Sequence, residues 1–86
     1  MNQFEAIRRA DQRMANDIPM ETKKRWLDGL QAAASRDRRD DLPVPADVAE
    51  TYLVMRYCLE AGELNRYNTW AEIFNLRARA FITRGK

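Results

Sequence analysis

Apolar residues recur along this chain at intervals of three and four, and four segments carry the pattern. Near residues 2–15, Phe4, Ile7, Ala10 and Met14 form one stripe of a helix, with Glu5, Arg9, Gln12 and Arg13 on its other side. Pro19 ends that helix and suits the opening of the next, predicted over 19–35. Met20, Trp26, Leu27, Leu30, Ala33 and Ala34 line its apolar side, while Lys24, Arg25 and Asp28 face outward. Residues 36–44, a mixed-charge run closed by Leu42-Pro43-Val44-Pro45, read as a linker, because the prolines fix extended backbone.

A third helix, over 45–62, differs from the others in having two apolar sides. Val48, Tyr52, Met55 and Leu59 share one face, flanked by Thr51 and Cys58, whereas Leu53, Val54, Tyr57 and Ala61 fall opposite. A helix at the edge of a globule needs a single apolar stripe, so this one expects neighbours on both sides. Gly62 is placed to end it in a left-handed C-cap. Residues 63–68 read as a connection, and Thr69-Trp70-Ala71-Glu72 has the form of a capping box opening a fourth helix over 69–82. That helix carries Trp70, Ile73, Phe74, Ala78 and Phe81 on one face. The expectation is an all-α, compact single domain of four helices spanning 1–86, a bundle or orthogonal array, with the third helix central.

Composition agrees with that picture. Eighty-six residues suffice for one core, and three glycines with three prolines leave little material for hairpins. The single cysteine, Cys58, allows no internal disulfide, the N-terminal stretch lacks the apolar centre of a signal peptide, and no window is apolar enough to cross a membrane. A cytoplasmic protein without membrane association is expected from these features.

Candidate chemistry is sparse. The chain has no histidine, so the commonest general base and transition-metal ligand is missing. Cys58 has no activating partner and reads as a buried structural thiol. No phosphate-binding or metal-loop motif is present. The expectation is a protein with no enzymatic activity, no cofactor, no catalytic or metal-ligating residues and no small-molecule substrate.

Charge is unevenly placed. Residues 37–63 hold seven acids against three arginines, whereas residues 64–86 hold Arg66, Arg77, Arg79, Arg84 and Lys86 against Glu72 alone. Arg77 interrupts the apolar stripe of the fourth helix and therefore requires a partner. Either an acid of the third helix (Glu50 or Glu60) pairs with it, or the face docks another molecule, for which arginine among aromatics is a favoured composition. The functional expectation is a small helical module that binds a protein partner or itself, as an adaptor, regulator or inhibitor, through Arg66, Tyr67, Trp70, Arg77, Phe81 and Arg84. The alternative is nucleic-acid binding by the same basic helix, either as part of a helix-turn-helix or with Tyr67, Trp70 and Phe81 stacking on bases. Two features weigh against the helix-turn-helix, the long connection over 63–68 and the apolar start of the fourth helix.

Overall fold

The computed structural model describes residues 3–84, and of Phe4 and Arg84 the backbone alone. Four helices follow one another: α1 over Gln3–Asn16, α2 over Met20–Arg38, α3 over Ala46–Glu60 and α4 over Leu64–Arg84. The fold is all-α, and α3 packs with α1, α2 and α4. The principal extents are 38, 28 and 20 Å. The shortest equals about two helix diameters, so the molecule is two helical layers thick.

Two prolines set the starts of the middle helices. Pro19 and Pro45 precede α2 and α3 with extended backbone, and their carbonyls accept the Lys23 and Ala49 N–H groups as the first helical bonds. Helix α2 runs three residues past its expected end and stops where Arg39 enters the left-handed region, with φ of 62°. The linker is then tied to α2 by Gln31. Its amide donates to the Leu42 carbonyl at 2.9 Å, and its carbonyl accepts from the Val44 N–H at 2.8 Å.

Between α3 and α4 the turn is three residues, 61–63, rather than a longer connection over 63–68. Gly62, with φ of 77°, permits the Glu63 N–H to reach the Cys58 carbonyl and its own N–H to reach that of Leu59, the paired bonds of a Schellman motif. The Glu63 carbonyl already accepts the Tyr67 N–H, so helix begins at once. The capping-box reading of Thr69 is thereby corrected: its hydroxyl donates to the Asn65 carbonyl, one turn back within α4. The physical reason is that residues 63–68 contain neither glycine nor proline, and nothing in them halts helix once Gly62 has turned the chain.

Helices α3 and α4 form an antiparallel hairpin. The Tyr52 and Phe74 rings lie 5.4 Å apart, and Arg77 reaches Asp47 and Thr51, residues about as far before Gly62 as Arg77 lies beyond it. Val48, Thr51, Leu53, Val54, Met55 and Cys58 are all buried, so both sides of α3 are covered within one chain. Leu59 departs from this: it is 40% exposed, although the face it shares with Met55 was expected in the core. It lies on the last turn of α3, on a side that the neighbouring helices leave partly uncovered.

Helix α1 departs from its expected stripe at two positions, while Met14 is half-buried and the Phe4 side chain lies outside the described residues. Ile7 and Ala10 are exposed, whereas Asp11 and Ala15 are buried. The helix is turned so that the Asp11 carboxylate faces α4, and the apolar positions beside it rotate toward solvent.

Candidate interaction surface of the C-terminal helix

The six residues singled out on the fourth helix do not form one exposed surface. Trp70 is 2% exposed, and its indole N–H donates to Asp11 Oδ2 at 2.7 Å. Arg66 completes this cluster: its guanidinium pairs with both Asp11 oxygens, Nη2 facing Oδ1 and Nε facing Oδ2. Asp11 is 1% exposed, whereas the Arg66 side chain keeps about a third of its surface in solvent. A carboxylate so buried is tolerated because a cation and a polar N–H both address it. Arg8 adds a second cation, 6.0 Å from the Trp70 ring centre.

Phe81 is also internal. It joins Leu30, Ala34 and Val48 in a second apolar cluster, while Trp26, Leu53, Val54, Met55, Cys58 and Trp70 belong to the first. Arg38, at the end of α2, covers the Phe81 ring with its guanidinium 4.2 Å from the ring centre and donates from Nη1 to the Phe81 carbonyl. Asp40 holds Arg38 from the other side, and its Oδ1 accepts the Leu42 N–H. The hydrogen bond from Arg38 lowers the Asp40 carboxyl below its ordinary value. Arg38 is thus a clamp joining α2, the linker and α4.

Arg77 departs from the expected pairing with an acid of α3. No acid pairs with it among the described contacts. Nη1 donates to the Asp47 carbonyl at 3.2 Å and to the Thr51 hydroxyl, which itself donates to the same carbonyl at 2.7 Å. Expectation placed Glu50 or Glu60 there. Glu50 is instead exposed and Glu60 pairs with Arg56 one turn back at 3.6 Å. A carbonyl and a hydroxyl suffice because Arg77 is only partly buried. Tyr67 is also partly buried, packed on the first cluster. The Arg84 side chain lies outside the described residues.

What α4 exposes is its opposite side. Leu76 is 70% exposed, far more than an aliphatic side chain of its size usually is in a settled core. Thr69, Ala80 and Thr83 are exposed beside it, and Ile73 is half-buried. These five positions, 69, 73, 76, 80 and 83, alternate steps of four and three, which is the spacing of a helix–helix seam. Ile7 of α1, 48% exposed, borders a shallow hollow shared with Asn65, Thr69 and Trp70, and so extends the apolar surface at one end. The sequence signal for this seam was available: Leu76 lies outside the aromatic stripe of α4 and had no role assigned to it. Asp11, Arg38 and Thr51 carried no comparable signal, because each depends on a residue 26 or more positions away.

Further depressions lie elsewhere on the surface. An apolar groove of about 380 Å³ separates α2 from α4, floored by Leu30, Val48, Phe74 and Phe81. A more polar cleft of about 530 Å³ lies where α1, α2 and α3 meet, with Arg9, Arg13 and Lys23 opposite Glu50. Among the described residues, no helix is long and apolar enough to cross a membrane, and no group of His, Cys, Asp or Glu is arranged to hold a metal ion. Comparison of the chain with protein-family models, curated proteins and solved structures finds no match.

Proposed function

We propose that this protein is a non-enzymatic helical binding module whose partner is a protein, engaged by the exposed side of α4 centred on Leu76. The observation that supports the reading is a row of apolar and small side chains at heptad spacing, four of them in solvent and Ile73 half-buried, on a helix whose other side is used in the core. This moves the docking surface away from Trp70 and Phe81, which are spent on folding, and away from Arg66 and Arg77, whose charges are engaged inside the chain. Roles as adaptor, regulator or inhibitor need no more than such a surface on a stable scaffold.

Nucleic-acid binding by α4 has less support. The short turn over 61–63 removes one objection to a helix-turn-helix, and α4 opens with exposed Asn65, Asn68 and Thr69. The Asp47–Arg77 bond argues the other way. Asp47 lies 15 residues before Gly62, about 22 Å along a helix, and helices crossing at the 90–120° of that motif would be far apart there.

A photo-crosslinking amino acid at position 76, compared with one at exposed Lys24 on α2, tests the proposal in extracts of the native host. A discrete protein adduct formed from position 76 and absent from position 24 is expected, lost when Ala80→Glu is added. Equal labelling from both positions, or none, refutes it.

A further inference from the structure

We infer that the occupant of this seam is a second copy of the chain, its α4 packed antiparallel on the first about a two-fold axis at Leu76. The inference rests on the reading of α4 as a docking surface and adds the partner and the register. An isologous interface requires one surface to complement itself when rotated, and the seam does so about a single point. With Leu76 on the axis, Thr69 lies opposite the partner's Thr83, and half-buried Ile73 opposite the partner's Ala80, large against small. The seam spans 15 residues, about 21 Å of helix.

Charge is the independent argument. Glu72 and Arg79 are exposed on the same flank of the seam. The rotation that superposes Leu76 on its counterpart brings Glu72 beside the partner's Arg79 and repeats the pair on the other side of the axis. Within its own helix neither residue has an opposite charge at the favourable spacing. Asn68, Thr69, Asn75 and Leu76 surround Glu72, and Asn75, Leu76, Ile82 and Thr83 surround Arg79. On the other flank Arg77 would meet its own copy near the axis, a repulsion that the fold prevents. Its guanidinium is drawn onto α3 by the Asp47 carbonyl and the Thr51 hydroxyl, away from the seam. A parallel pairing would instead set Glu72 toward the partner's Arg77, a guanidinium already held on α3, and would leave Arg79 without an acid across the seam.

Sedimentation equilibrium across a wide concentration range, with light scattering, tests the inference. The parent chain is expected to dimerise. Leu76→Glu should raise the dissociation constant about 30-fold or more, since the axis position is the centre of the interface. Its melting transition at low concentration should match that of the parent monomer. Glu72→Arg and Arg79→Glu should each weaken the dimer roughly tenfold, because the two-fold repeats each loss, and the double exchange should restore it. A parent chain that stays monomeric at millimolar concentration overturns the inference, as does a dimer indifferent to Leu76→Glu. A dimer in which the double exchange is no better than the singles overturns the antiparallel register. A monomeric chain that still forms the position-76 adduct with a different protein refutes self-association alone and leaves the binding reading standing.

Discussion

The Asp11 cluster permits a quantitative test, because Asp11 and Arg66 differ in access to water. Removing Arg66 leaves the Asp11 carboxylate, 1% exposed, with the Trp70 indole N–H still donating to it and Arg8 beside the same ring, but without its paired guanidinium. Stranding a buried charge in this way costs about 3–5 kcal/mol. Removing the charge of Asp11 instead leaves a guanidinium that already has about a third of its surface in solvent and can turn outward. Asp11→Asn also retains an oxygen for the Trp70 N–H, so the loss is that of charge-assisted bonds, about 1–3 kcal/mol. Arg66→Ala should therefore be the more damaging change by about 2 kcal/mol, although it deletes the more exposed residue. A chain of 86 residues has a total stability of about 4–13 kcal/mol, so Arg66→Ala brings it near the limit. Urea denaturation followed by circular dichroism gives both values, and the Asp11→Asn/Arg66→Ala double variant completes the cycle. With the carboxylate gone, deleting Arg66 should cost little more, leaving a coupling of at least about 1 kcal/mol. Equal losses in the two single variants, or strict additivity in the double, would show that the cluster does not bear the charge as described.

The remaining expectations concern α3 and the end of α2. Met55→Ala should cost about 2–5 kcal/mol and Leu59→Ala below about 1 kcal/mol, since the first side chain is buried and the second lies at the helix end; thermal melts that rank them the other way would contradict the burial of α3. Arg39→Gly should raise stability by about 1 kcal/mol and the melting temperature by about 4–8 °C, because a side chain there occupies a left-handed conformation natural to glycine; an unchanged or lowered melt would be inconsistent with that backbone. Burial, with the Glu63 charge adding to it, pushes the Cys58 thiol up from its ordinary value of 9.0. The native protein should therefore react slowly with a thiol reagent and quickly in denaturant. Its stability relative to Cys58→Ala should be constant below that pH and fall as pH rises through the elevated value. Rapid native labelling would place the thiol elsewhere.

Much of the fold was legible because it depends on local chemistry. Pro19 and Pro45 start helices for reasons contained in one residue, Gly62 ends one for the same kind of reason, and the two-sided pattern of α3 required the neighbours that surround it. The pattern failed where a distant polar partner outweighed periodicity. Helix α1 turns Asp11 inward beside Ala15 and leaves Ile7 and Ala10 in water because Arg66 and Trp70, more than 50 residues away, address Asp11. Arg77 was recognised as a cation needing a partner, but a carbonyl and a hydroxyl of α3 carry no charge signature in a sequence. The candidate surface suffered from the same ambiguity. Tryptophan, phenylalanine and arginine have one composition whether they build a core or an interface, and only burial separates the two. Leu76 stood apart because it did not fit the stripe of its own helix.

The Asp11–Trp70 bond closes a span of 59 residues, whereas the α3–α4 hairpin turns on three. Loop-closure entropy grows with span, so the hairpin can assemble early and α1 joins it late. The order of synthesis sharpens this. Helix α1 leaves the ribosome first, yet both groups that stabilise its carboxylate belong to the helix that emerges last. Until α4 has been made, Asp11 lacks the Arg66 guanidinium and the Trp70 N–H that bind it in the folded chain. The full burial of Asp11 therefore waits on the final helix, although Ala15 and Ile18 can already pack the end of α1 against α3.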